Sequence, residues 1–217
     1  MLKRVLLGLA ILFAAASVQG QPAPGTDYQE LSPAQPTDVP GKIEVIEFFW
    51  YGCPHCYAFE PLLNPWAKKL PKDTQFRRVP AIFNDEWGKG ARAFYALEAI
   101  GEEQRVHAAL FDAVHQSQHL NVANEAALTE WLGKHGVDTK KFTAAYSSFS
   151  VESKVKRAAQ ITQAYKIDGV PSMAVNGRYV ISASAANSRE RLLAVADYLI
   201  DRVRKDGAKT APKPAKK

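Results

Sequence analysis

The sequence predicts an α/β protein whose sheet is interrupted by a long helical insertion, and three observations carry that expectation. Ile43 to Trp50 (IEVIEFFW) is an apolar, β-branched and aromatic run without alternation, the pattern of a strand covered on both faces. From Glu86 to about Lys166 the apolar spacing takes the helical period, with no strand candidate. Strand character returns at Ser172 to Val175 and Tyr179 to Ser182, on either side of Asn176-Gly177, a strong hairpin signal.

In chain order, Lys3 and Arg4 precede the apolar run Val5 to Ala16, and small residues lead to Val18-Gln19-Gly20. This is the pattern of a secretory leader, residues 1–20; the run is shorter than the roughly 20 apolar residues a spanning helix needs. No cysteine follows it, which argues against lipid attachment. Export implies a compartment where disulfides persist. A Pro-rich stretch from Gln21 to Pro40 comes next, with a short edge strand expected at Tyr28 to Leu31. Gly52 ends the first long strand, and Cys53-Pro54-His55-Cys56 opens a helix in which Pro54 takes a first-turn place. Phe59, Leu62, Leu63, Trp66 and Leu70 continue it at helical spacing, with Pro61 and Pro65 expected to kink or interrupt it. A second strand is expected at Phe76 to Val79.

Within the insertion, one helix runs through Ala93, Leu97 and Ile100 and stops at Gly101. Others cover Val106 to Val114, Glu125 to Leu132, Thr139 to Tyr146 and Glu152 to Tyr165, with Asn124, Asp138 and Ser150 as N-caps. The aromatics Phe94, Tyr95, Phe111, Trp131 and Phe142 are assigned to packing. A last amphipathic helix runs from about Ser188 to Val203, before Gly207. The expected division is 21–85 with 167–204 for the sheet, 86–166 for the insertion, and a disordered basic tail at 205–217.

The formal charge of +6 is terminal in origin. Lys3 and Arg4 supply two charges and residues from Lys205 onward a net four, so residues 21–204 are neutral. A neutral body lacks the basic stripe that phosphate binding needs, which sets nucleic acid aside.

Only two cysteines exist, three positions apart. A disulfide stabilises mainly by closing a long loop, and so short a ring contributes about 2 kcal/mol before strain is subtracted. A zinc site would need His107, His115, His119 or His135 to complete its ligands, and an exposed helix face explains His115 and His119 equally well. Reversible redox chemistry fits best, with no metal. At a helix start Cys53 meets free backbone N–H groups and the positive end of the dipole, and His55 adds to both. Its pKa is therefore expected to fall, which makes the disulfide form a good oxidant. Cys56, one turn in, is expected to be less exposed and to act as the resolving thiol.

The run from Phe48 through Trp50, Tyr51 and Gly52 to Cys56, the later Gly169-Val170-Pro171-Ser172, and the Val175-Asn176-Gly177-Arg178-Tyr179 hairpin together resemble the DsbA family of thiol:disulfide oxidases. The resemblance covers the chain from the end of the leader to the tail, and implies a thioredoxin fold with an all-helical insertion. It implies that a substrate attacks Cys53, that Cys56 resolves, and that Pro54 and His55 tune the redox poise. Val170-Pro171 would be a cis-proline loop whose Val170 backbone binds substrate as an added strand, although it is also compatible with an ordinary loop. Glu47 would be a buried acid relaying a proton, or else a strand-end residue facing water. Implied partners are reduced secreted proteins and a DsbB-like, quinone-linked inner-membrane oxidase. The implied protein is a periplasmic monomer that needs no cofactor beyond the Cys53–Cys56 disulfide. A disulfide isomerase or reductase of the same fold is the nearest alternative, and a peptide-binding chaperone without redox turnover the alternative of another class.

Overall fold

Strand β2 (Ile43–Phe49) organises the molecule, and all seven of its residues are buried, as its unbroken apolar run requires. The computed structural model describes residues 21–117, 119–186 and 188–210. Its sheet has five strands in the order β1-β5-β4-β2-β3, where β1 is Gln29–Glu30, β3 Thr74–Pro80, β4 Ser172–Val175 and β5 Tyr179–Ser182. β3 is parallel to β2, and the other pairings are antiparallel. The hairpin turns through Asn176 and Gly177, both at positive φ. The expected leader lies outside the described residues. Among those described, no helix is long and apolar enough to cross a membrane.

Strand alternation divides the core in two. Ile46 and Phe48 face a large cluster with the helical block, whereas Ile43 and Val45 face a smaller one with Phe59, Leu63, Leu192, Val195 and Leu199. The helical block lies between β3 and β4 in sequence: α3 (Asp85–Ala99), α4 (Glu103–Asp112), α5 (Glu125–Lys134), α6 (Thr139–Tyr146) and α7 (Phe149–Ala164). The five aromatics assigned to packing are all buried in the larger cluster.

Several boundaries differ from expectation for physical reasons. The helix after β2 breaks into α1 (Pro54–Tyr57) and α2 (Glu60–Lys68), upstream of Pro61, which takes a first-turn place. Pro65 lies inside α2 without ending it; the one bond it forfeits would have gone to Pro61, at the helix start. The cap of α7 is Ser148 rather than Ser150, its Oγ accepting from Val151 N at 3.2 Å. The first turn was hidden because Phe149 is 83% exposed and breaks the apolar period. After a short helix α8 (Ala183–Ala186), helix α9 spans Arg189–Thr210. It passes through Gly207, so 205–210 are helical and not disordered; a glycine costs a helix only about 1 kcal/mol. Residues 211–217 lie outside those described.

Candidate active site around Cys53 and Cys56

The end of β2 delivers the thiols. Cys53 N–H donates to the Trp50 carbonyl at 3.0 Å, which turns the chain out of the strand and into α1. An added Cβ at Gly52 would come within 2.4 Å of the Trp50 ring, so only glycine fits. Cys53 is the N-cap of α1, in extended backbone, and its Sγ accepts from Cys56 N at 3.4 Å. Both cysteines are free thiols, Cys53 with 7% of its surface exposed and Cys56 with none. Pro54 and His55 are exposed beside them. From the other side of the sequence the loop before β4 closes over the pair. Its Val170–Pro171 bond is cis, and the Val170 carbonyl is 3.5 Å from Cys53 Sγ.

The two thiols are driven in opposite directions. The Cys56 thiol, donating to Cys53, is the largest influence holding Cys53 down to about 6; burial opposes it, and the Cys56 and His55 amides and the His55 charge add to it. The amides and His55 are legible in the sequence as causes; the partner thiol is not. Cys56 is pushed well above the ordinary thiol value, first by burial, then by its bond to Cys53 and by the charges of Cys53 and Glu47.

Beneath the thiols Glu47 is wholly buried, which settles its two readings against a water-facing residue. It accepts from Arg78 Nε at 3.0 Å, and the same guanidinium reaches Glu60 at 3.2 Å and Asn64 at 2.7 Å. Burial raises Glu47 to about 8 against the pull of Arg78, with Glu60 adding to the rise. Glu60 is also buried, yet His107, Arg78 and Asn64 hold it below the ordinary carboxylate value. Arg78 thus shares two carboxyls, and Glu47 is the one that keeps a proton near neutrality.

Arg78 and Glu60 are not among the residues singled out in the sequence, and His107 is named there only as a possible zinc ligand. The available signal was two acids in IEVIEFF facing two arginines in TQFRRVP, with Glu47 and Arg78 in direct register. His115 and His119 do not share a helix face. His115 lies in a π-helical turn, Ala113–Ser117, while His119 is beyond it at positive φ. No group of His, Cys, Asp and Glu able to hold a metal occurs among the described residues.

A thiol held as thiolate at a helix start, backed by a protonated partner and a buried acid, is equipped for dithiol–disulfide exchange. On a sheet of this topology it marks a thioredoxin-fold protein-disulfide oxidoreductase. The DSBA-like thioredoxin domain profile matches residues 72–195. The thiol:disulfide interchange protein DsbA of Pseudomonas aeruginosa is 43% identical over 199 residues, covering 92% of this chain and 94% of that one. DsbA of Azotobacter vinelandii is 48% identical over 180 residues, 83% and 84% of the two chains. A crystal structure of a P. aeruginosa DsbA variant superposes with a TM-score of 0.83 at 43% identity, covering 85% of this chain and all of that one (100%). The oxidoreductase DsbA1 of N. meningitidis gives 0.75 at 31%, covering 86% and 96%. The chain belongs to the DsbA family.

Proposed function

We propose that this oxidoreductase works in the oxidising direction, placing disulfides in reduced secreted proteins. A substrate thiolate attacks Sγ of Cys53 in the oxidised enzyme, and Cys56 leaves and takes a proton, for which Glu47 is the nearby reservoir. A second substrate thiolate attacks the substrate sulfur of the mixed disulfide and expels Cys53 as a stable thiolate. The substrate loses two electrons and the enzyme gains them. The depressed pKa of Cys53 carries this reading: whatever stabilises the reduced thiolate makes the disulfide the stronger oxidant.

Pro54 and His55 tune that poise, and Val170 beside Pro171 offers its backbone to an extended substrate segment. The Cys53–Cys56 disulfide is the only redox group required, with no metal or organic cofactor. Turnover then needs reoxidation by a DsbB-like, quinone-linked membrane partner. The working form is a periplasmic monomer released from the leader 1–20, with 21–85 and 167–204 forming the thioredoxin-like part around the insertion 86–166.

Titrating the thiolate by its ultraviolet absorbance tests the central claim, with a midpoint near pH 6 expected. A Cys53 that keeps its proton at neutral pH overturns it, and a strongly reducing potential would assign the protein to reduction instead. Cys56→Ser is expected to accumulate mixed disulfides through Cys53.

A further inference from the structure

The turn that delivers Cys53 is held from the helical block. Tyr51 and Gly52 are the central residues of the turn closed by the Cys53–Trp50 hydrogen bond. Such turns interconvert by rotating the central peptide, and the rotated form needs positive φ at the third residue, which glycine adopts freely. Gly52 is required here for room against Trp50, so its conformational freedom is a liability that something else must restrain. In the structure its φ is not positive, and the Tyr51–Gly52 peptide stands in one of the two orientations the sequence permits.

The restraint is visible. His115 Nε2 is 2.8 Å from the Tyr51 carbonyl. A carbonyl has no proton to give, so the imidazole donates and its hydrogen is on Nε2. The same ring stacks on Tyr57 of α1, with centroids 5.0 Å apart and planes 15° from parallel, and Tyr57 OH donates to Asp112 at 2.7 Å. One imidazole thus touches both sides of the Cys53–Cys56 pair. It reaches them from the π turn, a distortion of the helical ladder that recurs at functional positions. The other end of Tyr51 is fixed as well, its hydroxyl 2.8 Å from His107 Nδ1.

We propose that His115 is a positioning residue for the disulfide exchange: its hydrogen bond to the Tyr51 carbonyl locks the Trp50–Cys53 turn and keeps the Cys53 sulfur against the amides of α1. The inference rests on the function proposed above. It assigns to the helical block a part in setting the chemistry of a thiol that it does not carry.

The test compares His115→Phe, which keeps the ring on Tyr57 and loses the donor, with His115→Gln, whose amide reaches the same carbonyl. In the Phe variant the equilibrium constant for oxidised enzyme plus two glutathione thiols going to reduced enzyme plus glutathione disulfide is expected to fall about three- to tenfold, the worth of one net hydrogen bond. The Cys53 acid constant should fall by the same factor, raising the titration midpoint by about 0.5–1 pH unit, and Gln should recover most of both. A folded Phe variant with the parent constant and midpoint overturns the proposal, as does a folded Gln variant no better than Phe. Independently of any variant, nitrogen NMR of the parent at pH 8 should show the Nε2–H tautomer at His115, and the Nδ1–H tautomer would overturn it. A parent protein lacking a thiolate at neutral pH would instead sink the functional reading, which separates the two failures.

Discussion

Glu44 and Glu47 occupy opposite faces of β2, both wholly buried, and each is held by an arginine of β3. Glu44 accepts from Arg77 Nε at 2.9 Å and from the Asp38 amide at 3.0 Å. Arg77 continues to Asp38 and Asp38 to Arg157, whose side chains are 38% and 59% exposed. That chain of charges ends in water. Glu47 leads through Arg78 to Glu60 and His107, whose side chains are only 7% and 5% exposed, and it lies beneath the thiols. One pair of residue types therefore does two jobs, and the difference comes from where the counter-charges lead. A buried acid tied to the surface serves as a structural joint; one enclosed with a second carboxylate becomes a proton store.

Substitutions can break or sharpen this contrast. The largest effect is expected for Arg78→Met, which deprives Glu47 and Glu60 of the guanidinium they share and should destabilise by about 3–5 kcal/mol in urea unfolding. Arg77→Met removes the equivalent residue on the solvent-linked face, where the Asp38 amide still serves Glu44, and about 1–3 kcal/mol is expected. Equal losses would mean that the two faces do not differ. Smallest at acid pH is Glu47→Gln, about 1 kcal/mol at pH 5, where the native acid is also neutral. The folded chain keeps the Glu47 proton up to about 8, against an ordinary value of 4.5. Between those values the folded state holds the extra proton, so this group's contribution to stability is lost as pH rises. The Gln variant should gain on the parent from pH 5 to pH 8, and a constant difference would refute the proton store.

The redox state supplies a finer comparison. Cys53 falls from 9.0 to about 6 in the folded dithiol, so its stabilising contribution is present above the higher value and lost as pH falls through the lower. The disulfide form has no such group. Melting both forms across pH 5–9 should show the dithiol gaining on the disulfide as pH rises.

Much of this was legible in the residues. The run IEVIEFFW, the Asn176-Gly177 hairpin and the caps at Asn124 and Asp138 are local signals, and each element formed where its signal stood. What stayed hidden depends on register and packing. Glu60, Arg78 and His107 gain meaning only when β3 lies beside β2 and α4 covers the end of the strand. The π turn carrying His115 has no propensity signal, and α9 overruns Gly207 because one glycine cannot stop a helix already docked.

The loop that covers the thiols is distant from them in the chain: Val170 follows Cys53 by 117 positions. At roughly 5–20 residues per second, the ribosome needs on the order of 10 s to make that interval. A newborn chain therefore holds its two cysteines for that interval before the loop that will cover them exists.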